Sequence, residues 1–413
     1  MSKKQFYAVL QSEIERLDQA KVSKRNEVVI DGFTKDPAPQ AKVGSKQLRI
    51  FNSNDYLGLR HHPLLKIADH AAVEKFGTGP GAVRFISGTL SIYKQLEKKI
   101  AEFHGREDAM VVSSAFATNV AVMSCMIKGQ SKESMLSENS LVVSDALNHR
   151  SIIEGIRAAS IDSSHKAIFK HMDPQDLKRV LEENKGKYDR VIVVTDGVFS
   201  MLGEYQDLAQ LKKVIDAYDS EYKEGVILIV DDAHGVGCFG ETGRGVEEVC
   251  GTQADILVGT LGKAFGADGG YVVGDKVVID YLRESAATYI YSNSISPGTA
   301  GAALQAFNFM MGDEGKTLLK QSRDNIALCK TLMAEIGCTF AAESSHSIQP
   351  LLIGDPQKTK ELKMVMREKG FLVTNINYPV VPKGRDEIRI QISAAHTAED
   401  IKLFVNAVKN SVK

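Results

Sequence analysis

Cysteine is scarce in this chain: five residues in 413 (Cys125, Cys238, Cys250, Cys329 and Cys338), with no CxxC pair. That excludes a disulfide scaffold or a zinc ribbon and suits unpaired thiols in a reducing compartment. Excess charge is missing as well. The net charge is −1, with 51 Lys and Arg against 52 Asp and Glu and no basic block. Nothing therefore points to nucleic acid or an anionic membrane as a partner. No apolar run reaches the ~18 residues that a membrane-spanning helix needs. The opening MSKKQFYAVLQ lacks the apolar core of a secretory signal, so the expectation is a cytoplasmic protein. No internal repeat or low-complexity tract is present. What remains is average for a soluble globular protein, 43% hydrophobic and 25% charged, at a length that suggests two or three domains.

Along residues 6–21, Phe6, Val9, Leu10, Ile14 and Leu17 recur at helical spacing against a charged opposite face. This predicts a helix packed on the body or on a partner subunit. Residues 32–47, rich in Gly, Pro and Lys, read as a loop. FNSNDYLGLRHHP (51–63) is dense in turn residues. Its two histidines have no third ligand at suitable spacing, so no metal site is expected. FGTGPGAVRFISGTL (76–90) is a Gly-rich stretch around Arg84, of the kind that lets backbone approach a ligand.

Strand-like runs then alternate with helices, at 108–114, 140–147, 166–172, 190–197, 225–232, 255–260 and 270–275. Most are continuous and β-branched, the pattern of strands buried on both faces in a mainly parallel sheet. Ligands bind such sheets at the carboxyl ends of the strands. Polar residues gather there: Ser113–Ser114, Asp145 to His149, Asp196 to Ser200, Asp231 to His234 and Thr260 to Lys263. Residues 299–337 read as helical. Beyond them, strand-like HSIQPLLIGD, FLVTNINYPVVP and EIRIQISAAH, with helices at 358–369 and 398–411, predict an α+β domain. The expected division is an N-terminal helix and arm over 1–60, a large domain over 61–298, and a helical connection with the C-terminal domain over 299–413.

Lys263 stands at the centre of this layout, in DILVGTLGKAFGADGG. Buried lysines are rare. A lysine at a strand end among glycines can lose solvent, lower its pKa and become a nucleophile toward a carbonyl. Pyridoxal 5′-phosphate, held as a Schiff base, uses this chemistry routinely. By this stretch alone, a plain loop lysine reads as well. Asp231 ends the apolar strand GVILIV, where a carboxylate is costly unless it meets a cation such as a protonated pyridine nitrogen. A turn cap is the bland alternative. Two other motifs are set aside. GVGCFG (235–240) matches a dinucleotide fingerprint, but loop-like ETGRG follows where a helix should open. GTLGKA is no phosphate-binding P-loop, because Leu257 and Ala264 stand where that motif has Gly and Ser or Thr.

Taken together, NDYLGL (54–59), VRFISGT (83–89), SDALNHRSII (144–153), TDGVFSM (195–201), VDDAHGVGCFGETGRG (230–245), GTLGKAFG (259–266), YSNS (291–294), YPVVPKG (378–384) and IRIQISAAHT (388–397) resemble the α-oxoamine synthase family. These are fold-type I pyridoxal-phosphate enzymes that condense an amino acid with an acyl-CoA. The motifs run in family order over nearly the whole chain, which is specific for the family and less so for the member. The resemblance implies a mainly parallel, seven-stranded large domain, a smaller α+β C-terminal domain, and a homodimer with shared active sites.

It also implies residue roles. Lys263 carries the cofactor, Asp231 pairs with the pyridinium, and His234 bonds the ring's phenolic oxygen. His149 stacks on the ring and takes part in proton transfer. Ser114, Ala115, Phe116 and Thr260 hold the phosphate, Ser292 reaches the phosphate of the neighbouring subunit, and Ser200 lies near the ring. Asn54, Arg84 and Arg389 contact substrate, with Asn54 and Arg389 on the amino acid carboxylate. Within the family the series is most like the members that join glycine to acetyl-CoA. A sister with another acyl-CoA or amino acid is the first rival. A plain aminotransferase and a non-catalytic subunit are further readings, the latter opposed by the retained Lys263, Asp231 and His149. Segments 33–46 and 131–139 read as insertions, and the phosphate turn has Ala115 where many members carry Gly or Cys.

Overall fold

The structure is a computed structural model and describes residues 3–411 except 21, 22, 26, 35–37, 39, 132 and 379. Parts of the segments 33–46 and 131–139, the end of the 6–21 helix and Pro379 of YPVVPKG thus lie outside the described residues. The framework is a seven-stranded sheet in the order β4-β10-β9-β8-β7-β5-β6. Its strands are β4 (Asp108–Val112), β5 (Ser140–Asp145), β6 (Lys166–Phe169), β7 (Arg190–Asp196), β8 (Val226–Asp231), β9 (Ile256–Thr260) and β10 (Gly270–Gly274). All neighbours pair in parallel except β10, which runs antiparallel to both β4 and β9.

The continuous apolar runs follow from this placement. Successive side chains leave opposite faces of a strand, and helices cover both faces here. Val143, Val191, Val193, Val230 and Leu257 enter one core, whereas Val142, Ile192, Val194, Ile229 and Val258 enter the other. The buried polar residues of these strands stand at or next to the strand ends. That puts Asp196 opposite Asp231 at the ends of β7 and β8, beside Thr260 at the end of β9.

A second body is built on β11 (Ile348–Leu352), β14 (Glu387–Gln391) and β13 (Thr374–Ile376), an antiparallel sheet in that order. Helices Asp313–Glu335, Pro356–Glu368 and Ala398–Lys409 cover one face. Ile388 and Ile390 point into that helix-covered core. The alternate residues Glu387, Arg389 and Gln391 leave the other face.

Part of the 32–47 segment, expected as a loop, is strand. β1 (Gly32–Phe33), β2 (Ala41–Val43) and β3 (Lys46–Ile50) form antiparallel pairs, and β3 runs parallel to β12 (Phe371–Leu372). The Gly44 turn, at φ +57°, closes the β2–β3 hairpin. Ala41, Leu48 and Leu372 supply a small core under it. The arm is thereby tied to the C-terminal part of the chain. Lys3–Gln19 forms the expected helix, but none of its residues is buried and Phe6 stays 57% exposed.

Candidate active site

Asp231, His234 and Lys263 converge where β8 and β9 end. The Lys263 loop is pinned by Thr260, whose hydroxyl donates to Gly269 O (3.1 Å) and accepts from Gly262 N–H (3.2 Å). Gly266, at φ +67°, lets the loop pass the Leu59–Arg60 backbone, where a Cβ would come within 2.3 Å of Arg60 N. Lys263 Nζ has no hydrogen-bond or ion-pair partner among the described residues. Burial lowers its pKa from the ordinary lysine range, although Asp231 and Asp196 oppose that shift. A lysine so placed can act as a nucleophile toward a carbonyl.

Asp231 is held from two sides: Oδ1 accepts from Ala233 N–H (3.0 Å) and Oδ2 accepts from the Asn119 amide. The same Asn119 nitrogen donates to Ser151 Oγ (2.8 Å), which sits 2.7 Å from His149 Nδ1. Ser151 N–H also points at Nδ1 (3.3 Å), so the imidazole keeps its proton on the other nitrogen. Burial lowers the His149 pKa, with Asp231 opposing and Lys263 adding to the shift. Burial, then Lys263 and Arg389, hold His234 well below the usual range. Both rings are therefore neutral at pH 7. Asp196 is pushed well above the usual carboxylate range by burial and by the neighbouring Asp231.

A helix N-terminus forms the other end of the site. Ser114 caps helix Ala115–Ile127, its Oγ accepting from Ala117 N–H (3.1 Å). The N–H groups of Ala115 and Phe116 have no acceptor among the described residues. Both point out of a helix N-terminus, a ready anion site. Gly270 makes the close fit possible, because a Cβ there would lie 2.3 Å from Ala115 N. Ala115, Phe116, His149, Asp231, His234 and Lys263 line one cavity. It has a free amine on one wall, a carboxylate at one end and unfilled N–H donors at the other. These groups fit a pyridine ring that carries an aldehyde and a phosphate.

Arg389, at 9% exposure on β14, is near enough to Lys263 and His234 for its charge to help lower both their pKa values, with Gln391 two residues on. The Gln391 amide lies 2.6 Å from Asn54 Oδ1 and 3.0 Å from Arg389 Nη1. Ser200 is half-buried in the loop after β7. Two named residues lie apart from the group. Arg84 is buried in an ion pair with Glu97 (2.9 Å) and sits over the Tyr93 and Tyr289 rings. It lines a separate cleft of ≈ 530 Å³ with Phe85, Arg283 and Tyr291. Ser292 follows Tyr291 and, among the described residues, bonds only Asn293 O (3.4 Å).

Several supporting residues were not foreseen. Tyr56 OH lies 2.7 Å from His234 Nδ1. His346 Nε2 donates to His234 O (2.8 Å). Asn119 and Asp196 complete the set. The signal for Asn119 was its own oddity, an amide inside the apolar helix AFATNVAVMSCMI.

The sheet, the lysine and the anion cradle define a pyridoxal-phosphate enzyme of fold type I. The chain matches the aminotransferase class I and II family over residues 46–408. It is 36% identical over 401 residues to 8-amino-7-oxononanoate synthase of Petrotoga mobilis, covering 96% of this chain and 95% of that protein. It is also 36% identical over 408 residues to the mitochondrial 2-amino-3-ketobutyrate coenzyme A ligase of Homo sapiens, covering 98% and 91%. Among solved structures it is similar to SPT with its PLP internal aldimine: 25% identity, TM-score 0.86, covering 100% of this chain and 98% of that one. The chain belongs to the aminotransferase class I and II family and, within it, to the α-oxoamine synthases. Among the described residues, no helix is long and apolar enough to cross a membrane, and no three ligating side chains group to hold a metal.

Proposed function

We propose that this enzyme condenses glycine with acetyl-CoA to give 2-amino-3-oxobutyrate and CoA. The observation that carries this reading is the placement of Arg389, buried on the sheet face beside the Lys263 cavity and braced by Gln391 and Asn54. A guanidinium there takes a carboxylate bidentately. Held that way, the carboxylate is retained and a Cα–H is presented to Lys263, the base within reach. A substrate gripped so closely leaves little room for a side chain, which favours glycine. Pyridoxal phosphate, when bound, supplies an electron sink for the charge left on Cα. Asp231 would hold its ring nitrogen, His149 its ring, His234 its phenolic oxygen, and the Ala115 and Phe116 N–H groups its phosphate.

The rival reading is a sister activity with a longer acyl-CoA or with alanine or serine, and the 36% identity to 8-amino-7-oxononanoate synthase favours it equally. Free-CoA release separates the two when kcat/KM is measured for glycine, alanine and serine against acetyl-, propionyl-, octanoyl- and palmitoyl-CoA. A pocket closed around two carbons penalises each added carbon by clash. An open pocket rewards each buried CH₂ by about 0.8 kcal/mol. The highest kcat/KM for glycine with acetyl-CoA supports the proposal. A steady rise with acyl length, or serine above glycine, replaces it with the sister activity.

The working unit in this reading is a homodimer in the cytoplasm with shared sites. Supporting it are large apolar side chains left bare around the Arg84 cleft, Phe85 at 66% and Tyr291 at 78% exposure, and the uncovered face of the N-terminal helix. Five free cysteines suit a reducing compartment.

A further inference from the structure

Strand β14 presents three polar residues in a row to the face opposite its helices: Gln391, Arg389 and Glu387. Gln391 and Arg389 contact one another at the site. Glu387 lies two residues further, about 6.6 Å along the strand. It is 0% exposed, and neither carboxyl oxygen has a hydrogen-bond partner among the described residues. Its cross-strand neighbours, Leu352 and Ile376, offer no donors. Arg389 Nε is likewise buried and unpartnered. A guanidinium with its Nε unpartnered and a carboxyl with both oxygens unpartnered therefore share one strand face.

A carboxyl kept for structure would carry the hydrogen bonds that offset its burial. This one carries none. The charged groups facing it are few. From its own strand and the turn before it come Arg389 and Arg385; from the loop after β7 comes Glu204, itself held by His171 (3.3 Å). Arg385 is turned toward Ala341 O. Burial, with Glu204 adding, outweighs the two arginines and raises the Glu387 carboxyl to about 8.

We propose that Glu387 is a positioning residue that sets how strongly Arg389 holds a substrate carboxylate. As a neutral acid it leaves the guanidinium charge to the substrate. As an anion it competes for that charge and weakens the anchor. The inference rests on reading Arg389 as the carboxylate anchor. Carboxylate affinity is then highest below pH ~8 and falls as Glu387 ionises above it. By reciprocity, a bound carboxylate keeps Glu387 protonated to higher pH.

The test uses the holoenzyme and propionate, a carboxylate without an amine, as inhibitor against the amino acid substrate. Propionate stays ionised from pH 6.5 to 9.5, so the profile reports the protein. Lys263 and the other titrating groups are shared with Glu387→Gln, so the readout is the difference between the two enzymes at each pH. Wild-type Ki should rise about fivefold to tenfold between pH 7 and 9.5, whereas Glu387→Gln should stay within about twofold. Glu387→Leu, matched to Leu352 and Ile376, should behave like Gln and serves if the amide does not fold. A flat wild-type profile, or a variant that follows the wild-type rise, overturns the proposal. Arg389→Gln should weaken propionate at every pH. If it does not, the anchor has been misread, and that failure is distinct from the failure of Glu387.

Discussion

Tyr56 OH and His234 Nδ1 lie 2.7 Å apart and join the N-terminal arm to the end of β8, more than 170 positions along the chain. The contact is fully buried, and the same hydroxyl also reaches Asn54 Oδ1 (3.2 Å). One phenol therefore orients the ring beside the lysine and the amide beside Arg389. Tyr56→Phe keeps the packing and removes the bond. It should lower kcat/KM about tenfold, the worth of one buried hydrogen bond used for positioning. The cofactor absorbance band should shift while thermal stability changes little. Unchanged kinetics with an unchanged spectrum would show that His234 needs no such guide.

Asp231 and Asn119 give a graded test of the ring-nitrogen end. Asp231→Asn retains the shape and the Ala233 N–H contact but cannot hold a pyridinium proton. Pyridoxal phosphate should still bind, with activity reduced more than about a hundredfold. Asn119→Ala leaves the carboxylate and removes its brace and that of Ser151, so a loss of about tenfold in kcat with KM little changed is expected. Near-wild-type turnover of Asp231→Asn would reduce Asp231 to a turn cap.

The shared-site reading makes a prediction that stability data cannot imitate. Lys263→Ala should abolish turnover and the visible absorbance of the bound cofactor, and Ser292→Trp should be inactive by bulk. In a mixed dimer both lesions fall on one site and leave the other intact. Statistical mixing of equal amounts restores about a quarter of wild-type activity. No recovery after demonstrated subunit exchange places Ser292 outside the partner's site.

The parallel core was legible because burial on both faces keeps the middle of each strand apolar. Asp231 and Thr260 thus stand out as the first polar positions after apolar runs. The N-terminal sheet was not legible for the opposite reason. AKVGSKQLRI interleaves Lys and Gln with single apolar residues, and β1 and β12 are two residues long. Their strand state depends on pairing, Gly32 with Lys42 and Phe371 with Arg49, which no local pattern carries. Site residues divide in the same way. Lys263, His149 and His234 sit at strand ends or in turns, where each alone reads equally as structural and only the family motifs around them mark them. Tyr56 and His346 act through contacts made only in the folded chain, and Glu387 looks like an ordinary strand-edge glutamate until its burial is known.

His171 carries the clearest pH-linked stability. It follows β6, with Nδ1 3.0 Å from Asp145 and Nε2 3.3 Å from Glu204, one carboxylate on each ring nitrogen. Burial opposes its charge, but the bonds to Asp145 and Glu204 prevail and raise its pKa to about 9. A histidine raised above its unfolded value of ~6.5 contributes stability that is complete below pH ~6.5 and is lost as the pH rises through 9. The contribution is about 2 kcal/mol, given that the ring is partly solvated. His171→Gln removes the titrating charge and keeps one amide donor in place of the two ring N–H groups. Chemical denaturation at pH 6, 7.5 and 9.5 should show the wild type most ahead of the variant at pH 6, with the gap closing by pH 9.5. Other titrating groups, Glu387 among them, are common to both proteins and drop out of the difference. A gap independent of pH would mean that His171 is neutral in the folded protein and that its two carboxylate contacts are ordinary hydrogen bonds.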